Sequence, residues 1–226
     1  MTQLDGQRVL VIGTGAMGRA TARLAVELGG DVILAGRDPA RLVSAGEQLR
    51  VGTAVGDAEV PEQAMSLLRA GPVYDHVAVL AGSSGARASS VVETPVEQAQ
   101  AAYGRLWAAY NVLQAAASAL PPHGSVTLLS GSSSRRPVAG LAVWGALHGA
   151  IEALARNAVL ELSPIRVNTV SPGGIGIGMD RQLNRHQGTG EDIAAAVLAL
   201  MTNPAITGAV LDVDGGERLG RFSTPG

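Results

Sequence analysis

The sequence predicts an α/β fold: a doubly wound, parallel, seven-stranded sheet held between two layers of helices. Three observations carry that expectation. Short apolar runs of strand length alternate with helix-length segments along the whole chain. The first run, Arg8-Val9-Leu10-Val11-Ile12, passes directly into Gly13-Thr14-Gly15-Ala16-Met17-Gly18 and then into a helical pattern. A second apolar run at residues 31–35 completes a strand–helix–strand unit of about 30 residues.

The elements follow in order. Residues 19–28 read as an amphipathic helix ended by Gly29-Gly30. Asp38 reads as an N-cap and Pro39 as the first helical residue of a helix reaching about Leu49. A strand at 51–55 ends near Asp57, a helix covers 61–70, and a strand covers 73–80. An alanine-rich helix is expected over 95–120, stopped by Pro121-Pro122, and a strand over 125–129. A second long helix covers 141–162 and stops near Ser163-Pro164. A strand at 165–170, a helix at 191–201 and a strand at 209–213 complete the pattern. No repeat, linker or low-complexity block interrupts it, so residues 1–226 read as one Rossmann-type domain of three α/β/α layers.

Composition narrows the function. With 46% hydrophobic and 16% charged residues the chain reads as globular. A net charge of −2 gives no reason to expect nucleic acid or an anionic membrane as partner. No apolar stretch reaches membrane-spanning length, and the first residues carry no signal-peptide pattern. The absence of cysteine excludes disulfides and thiolate metal sites and fits a cytoplasmic protein. All 17 basic residues are arginine, which excludes lysine-dependent chemistry such as Schiff bases.

In sheets of this type ligands sit beyond the carboxyl ends of the strands. Residues 13–18, 36–37, 57, 81–82, 130–134 and 171–174 all fall on that edge. A glycine turn between a strand and a helix presents backbone N–H groups to a phosphate, making Gly13, Thr14, Gly15, Met17 and Gly18 candidate dinucleotide contacts. The residue after the second strand distinguishes the two nicotinamide dinucleotides. An acid there holds both ribose hydroxyls, whereas Arg37 suits a 2′-phosphate and points to NADP rather than NAD. Asp38 is better explained as the helix cap, and Arg37 as an ordinary surface residue stays open. Ala81 and Gly82 would let backbone approach the cofactor closely.

Three segments carry a family resemblance: Ile165-Arg166-Val167-Asn168-Thr169-Val170-Ser171-Pro172-Gly173, the end Val213-Asp214-Gly215-Gly216 with Glu191-Asp192-Ile193-Ala194 before it, and Leu80-Ala81-Gly82. On these residues the chain resembles the short-chain dehydrogenase/reductase family over nearly its whole length. The resemblance implies an NAD(P)-binding enzyme acting on a small-molecule substrate. It implies cofactor contacts from Pro172, Gly173 and Ile175 in the Pro-Gly turn, and from Asp57 to the adenine amino group. A strand-end cap is the plainer role of Asp57. It also implies a homodimer or homotetramer built on the two long helices.

The departures cluster where the family keeps its chemistry. The catalytic tyrosine, and the lysine four residues later, fall on Trp144 and His148. The serine thirteen residues before the tyrosine falls on Gly131, among Ser130, Ser132, Ser133 and Ser134. The helix asparagine falls near Arg105, and the threonine after the Pro-Gly turn is matched by Ile177. The glycine motif is one residue shorter than the family's usual version.

An indole is a donor only and does not ionise in water, so Trp144 leaves the usual proton transfer unfilled. His148, one helical turn on and on the same face, can move a proton near neutrality, hydrogen-bond a ribose, or simply fill space. Ser132 or Ser133 could orient a substrate oxygen, or belong to a flexible turn. Tyr103 and Tyr110 could supply a displaced phenol, or pack in the core or an interface. His76, His123 and His186 show no metal spacing, so no metal is expected. The short polar segment 180–190 implies an open cleft, where Arg181 and Arg185 attract an acidic substrate or are simply solvated.

The sequence therefore suggests NADP(H)-linked reduction or oxidation of a small carbonyl or alcohol compound at a non-standard site. The alternatives are a non-redox cyclase, dehydratase or isomerase on the same scaffold, and a catalytically silent dinucleotide-binding protein.

Overall fold

A computed structural model of the chain describes residues 4–81, 89–174 and 182–220. Strands β1 (Arg8–Ile12), β2 (Asp31–Gly36), β3 (Gly52–Val55), β4 (His76–Val79), β5 (Ser125–Leu129), β6 (Arg166–Pro172) and β7 (Val210–Val213) form one sheet. Its order is β3-β2-β1-β4-β5-β6-β7, and all six neighbouring pairs are parallel. The helices are α1 (Ala16–Glu27), α2 (Pro39–Leu49), α3 (Pro61–Arg69), α4 (Val96–Ala102), α5 (Gly104–Ala119), α6 (Ala142–Leu162) and α7 (Gly190–Thr202).

The side-chain period of two decides which layer each strand residue serves. Leu10 and Ile12 of β1 face a core made with α3, α5 and α6, including Leu67, Val112, Leu147 and Ile151. Val9 and Val11 face the opposite core, made with α1, α2 and α7, including Ala22, Leu42, Val197 and Leu200. Strands β4, β5 and β6 are buried along their length, which explains their unbroken apolar reading. Each fully buried Leu, Ile or Val contributes about 1.5–3 kcal/mol, so the central strands are the stable base from which the loops at their carboxyl ends project.

Helix starts follow local chemistry. Asp38 caps α2 by accepting from the Arg41 N–H at 3.1 Å, with Pro39 in the first turn. Thr189 and Asp192 form a reciprocal capping box at the start of α7. By contrast α1 begins after Gly15 with no side-chain cap.

Two expectations are corrected. The helix expected over 95–120 is two helices, α4 and α5, broken at Tyr103. The Tyr103 N–H turns back to the Gln100 carbonyl at 3.0 Å, and Gly104 then passes under Glu59 so closely that a Cβ there would stand 2.2 Å from Oε2. The strand expected over 73–80 is only His76–Val79, and β6 runs on through Pro172 because Ser171 and Pro172 still pair with Asp212 and Val213. Among the described residues no helix is long and apolar enough to cross a membrane.

Candidate active site

The carboxyl ends of β1, β2, β3 and β4 open onto a cleft of about 470 Å³. Gly13, at φ +131°, has no room for a side chain: a Cβ would lie 2.8 Å from backbone atoms of Leu80 and Ala81. A Cβ on Gly18 would lie 1.9 Å from the Gly13 carbonyl oxygen. Those two glycines let α1 pack tightly against the turn, while Gly15 has open space on its Cβ side. The Arg19 N–H donates to the Gly15 carbonyl at 3.0 Å, so the amides just before it lack partners within the helix. Thr14 and Gly15 line the cleft. Met17 instead packs into the core beneath α1, and Gly18 is buried.

Arg37 enters the cleft from the end of β2, and Asp57 and Glu59 enter from beyond β3. Arg37 Nη1 stands 3.6 Å from Asp57 Oδ2 and 3.5 Å from Glu59 Oε1. Burial and the neighbouring Asp57 push the Glu59 carboxyl above its ordinary range, with Arg37 opposing them. Asp57 also accepts from the Glu59 N–H at 3.0 Å, so both roles foreseen for it, turn cap and groove residue, are compatible with its place. Asn111 of α5 donates to the carbonyls of Ala58 and Glu59, at 3.0 Å each, and holds this wall in position.

A second group of side chains lies where β5, α5 and α6 converge. His148 Nδ1 is 2.8 Å from Ser133 Oγ, and its Nε2 is 3.3 Å from Arg105 Nη1. A guanidinium only donates, so Nε2 is the accepting nitrogen and Nδ1 carries the proton toward Ser133. The Arg105 guanidinium carbon sits 5.5 Å from the centroid of the Trp144 ring, whose own centroid is 5.9 Å from that of His148. Burial, and then the Arg105 charge, lower the His148 pKa to about 4. At neutral pH this histidine is a neutral hydrogen-bonding ring. Arg105 also lines the cleft and so joins the two halves of the site.

The serine loop divides its work. Ser130 Oγ and Ser134 Oγ donate to the buried Glu152 carboxylate, at 3.0 and 2.7 Å. Ser133 is left for His148. Ser132 opens the short 3₁₀ turn Ser132–Ser134, and its hydroxyl makes no hydrogen bond among the described residues. Gly131 passes so near the imidazole that a Cβ would stand 2.6 Å from His148 Cε1. Tyr103 packs against the core, and Tyr110 is exposed beside Trp107, so neither phenol joins this group.

The Pro-Gly turn is held from the other side. The Gly173 N–H donates to Val213 O at 3.0 Å and the Gly174 N–H to Glu217 Oε2 at 2.8 Å. A Cβ on Gly173 would lie 2.6 Å from Asp214 Cα, which gives the Asp214-Gly215-Gly216 motif a structural role. Pro172 ends β6 and, with Gly173, lies outside the lining of the cleft. Gly82, Ile175, Ile177 and Arg181 lie outside the described residues. Among the described residues no three His, Cys, Asp or Glu side chains could hold a metal ion. Sequence reasoning missed Glu59 and Glu152. A charged residue four positions after His148 in an apolar helix was the available signal for Glu152.

A family model described as enoyl-(acyl carrier protein) reductase matches residues 12–217. The short-chain dehydrogenase/reductase ucsE of Acremonium sp is 30% identical over 254 residues, covering 95% of this chain and 96% of its own. The short-chain dehydrogenase/reductase malC of Malbranchea aurantiaca is 29% identical over 256 residues, covering 96% of each. Among solved structures, the MalC reductase/Diels-Alderase of Malbranchea aurantiaca superposes with a TM-score of 0.88 at 27% identity, over 96% of this chain and 98% of that one. A small-chain dehydrogenase in complex with NADPH does so at 0.82 and 31% identity, over 96% and 100%. The chain belongs to the short-chain dehydrogenase/reductase family, and is an NAD(P)-dependent dehydrogenase/reductase-like enzyme.

Proposed function

We propose that this protein is an NADP(H)-linked oxidoreductase of a small carbonyl or alcohol compound, working without the family's tyrosine and lysine. One observation carries the reading: Gly13 and Gly18, where a Cβ would strike backbone, let the turn after β1 close tightly and bring Thr14 and Gly15 to the cleft, with Arg37 at the end of β2. Asp38, the acid that could otherwise take ribose hydroxyls, already caps α2. In this reading the backbone of Gly13, Thr14 and Gly15 holds the pyrophosphate, Arg37 the 2′-phosphate and Asp57 the adenine amino group. Met17 and Gly18 shape the turn, Ala81 lets the chain approach closely, and Pro172 and Gly173 carry the far end of the cofactor. The bound nicotinamide supplies hydride exchange. Trp144 walls the substrate space, His148 orients Arg105 and Ser133, and a serine hydroxyl from Ser133 or Ser132 orients the substrate oxygen.

A second reading, non-redox conversion on the same scaffold, is favoured by Trp144 in the tyrosine frame and by a neutral His148. The related MalC reductase/Diels-Alderase of Malbranchea aurantiaca carries both kinds of activity in its name. Assembly as a homodimer or homotetramer through α5 and α6 is part of the proposal. Trp107, Tyr110 and Leu160 stand exposed on those helices.

The test incubates the protein with NADPH and a panel of small aldehydes, ketones and oxo acids, following nicotinamide absorbance and product mass together. Oxidation of NADPH in step with alcohol formation supports the proposal. Substrate conversion without nicotinamide oxidation selects the non-redox reading, and cofactor binding with no product in any arm leaves a binding protein.

A further inference from the structure

The charge at the junction of the site is out of balance. Arg105 is a largely buried guanidinium in the first turn of α5, the end of a helix that favours anions. Among the described residues it pairs with no carboxylate. Asp57 and Glu59 answer Arg37, while Glu152 answers Ser130, Ser134 and Arg135. Its contacts are a neutral imidazole and an indole face. Desolvation lowers its pKa, as burial of an uncompensated cation must.

The pattern of used and unused donors is specific. Nη1 is spent on His148. Nε is buried with no partner, and Nη2 makes no hydrogen bond among the described residues. Nε–H and the adjacent Nη2–H form one edge of the guanidinium plane, and two parallel donors match the two oxygens of a carboxylate. Buried donors are seldom left unpaired in native proteins, and since Arg105 lines the cleft, a ligand entering there and reaching this edge would pair it. His148 and Trp144 fix the plane of the guanidinium, so the edge is positioned before anything binds.

We infer that the Nε–Nη2 edge of Arg105 is a carboxylate-binding site, so that the small carbonyl compound of the proposed reaction is an oxo acid, or in reverse a hydroxy acid. This rests on the reading of the cleft as an oxidoreductase site and names its substrate class. Ser133 lies on the far side of the same imidazole, 2.8 Å from Nδ1. Because Nδ1–H donates to it, its own hydroxyl proton is free to meet a substrate oxygen.

The chain has two tryptophans, and Trp107→Phe leaves Trp144, stacked on Arg105, as the reporter. Titrating that variant with 2-oxobutyrate should give a saturable change in emission, which its neutral methyl ester should not. Arg105→Gln should weaken carboxylate binding about tenfold or more, the scale of one charge-assisted hydrogen-bond pair, with Arg105→Lys recovering only part. Circular dichroism and NADPH affinity are measured on each variant. If NADPH binds but 2-oxobutyrate changes nothing, or its ester works equally well, the carboxylate site is wrong while the cofactor reading stands. If inorganic phosphate competes equally and Arg105→Gln mainly weakens NADPH, the edge belongs to the nucleotide and the inference is overturned. If NADPH fails while 2-oxobutyrate still binds through Arg105, the site stands and the oxidoreductase reading falls.

Discussion

Gly131 and His148 fit together as a pair: a Cβ at Gly131 would lie 2.6 Å from His148 Cε1 and 2.7 Å from Nδ1. The backbone at Gly131 is extended, φ −176°, so conformation alone does not call for glycine. Clearance for the imidazole does. These are the two positions where the sequence reading expects the family's serine and lysine to fall.

Gly131→Ala should therefore push the ring away from Ser133 and Arg105 and cost about 1–3 kcal/mol of stability, the usual scale of overpacking. Denaturant unfolding measures the loss, and the imidazole NMR signals report the displacement. An alanine tolerated with unchanged His148 resonances contradicts the pairing.

Arg37→Ala should weaken NADPH binding about tenfold or more while leaving NADH nearly unchanged, since in the proposed function the 2′-phosphate is the one cofactor group that Arg37 holds. Parallel calorimetric titrations give both numbers. Equal losses for the two cofactors would assign Arg37 to holding Asp57 and Glu59 instead.

Stability should fall as pH drops from about 6.5 to 4. Burial takes both His76 and His148 from 6.5 to about 4 in the folded chain. In that window the unfolded chain takes up protons that the native state refuses, so stability rises with pH through it and is lost in acid. The loss is on the order of 3 kcal/mol per histidine once both states are protonated. His76 donates from Nε2 to Gln7 Oε1 at 3.1 Å and accepts from Ser125 Oγ at 2.8 Å, an arrangement in which a second ring proton would force the Ser125 hydroxyl to reverse. Unfolding midpoints across the window should drop less in His148→Asn. A histidine titrating near 6.5 by NMR at either position would contradict the burial argument.

Trp107→Glu should shift the protein toward monomer in sedimentation analysis if α5 lies in the assembly interface. Trp107 is 56% exposed and touches Tyr110 edge-on, ring centroids 6.3 Å apart, so the charge disturbs no core. An unchanged mass places the interface elsewhere.

The fold was legible because its determinants are local. The glycine turn, the Asp38-Pro39 helix start and the apolar strands are read within a few residues, and all six strand pairings follow the doubly wound order. The break at Tyr103 was not legible, because alanine-rich sequence on either side suits one helix and the residue packed against it, Glu59 over Gly104, lies 45 positions away. The cleft was legible as a set of strand ends. The grouping of Arg105 with His148 and Ser133 was not, because it needs α5, α6 and the loop after β5 brought together across 43 and 15 positions. The sequence named His148 by its frame. Its neutral state depends on burial and on Arg105, and neither is local.

Isothermal titration of the unmodified protein with NADPH, and separately with NADH, tests the central claim most directly. NADPH should bind one per chain and about tenfold or more tighter than NADH. Tighter NADH, or no heat and no saturation with either dinucleotide, would contradict it.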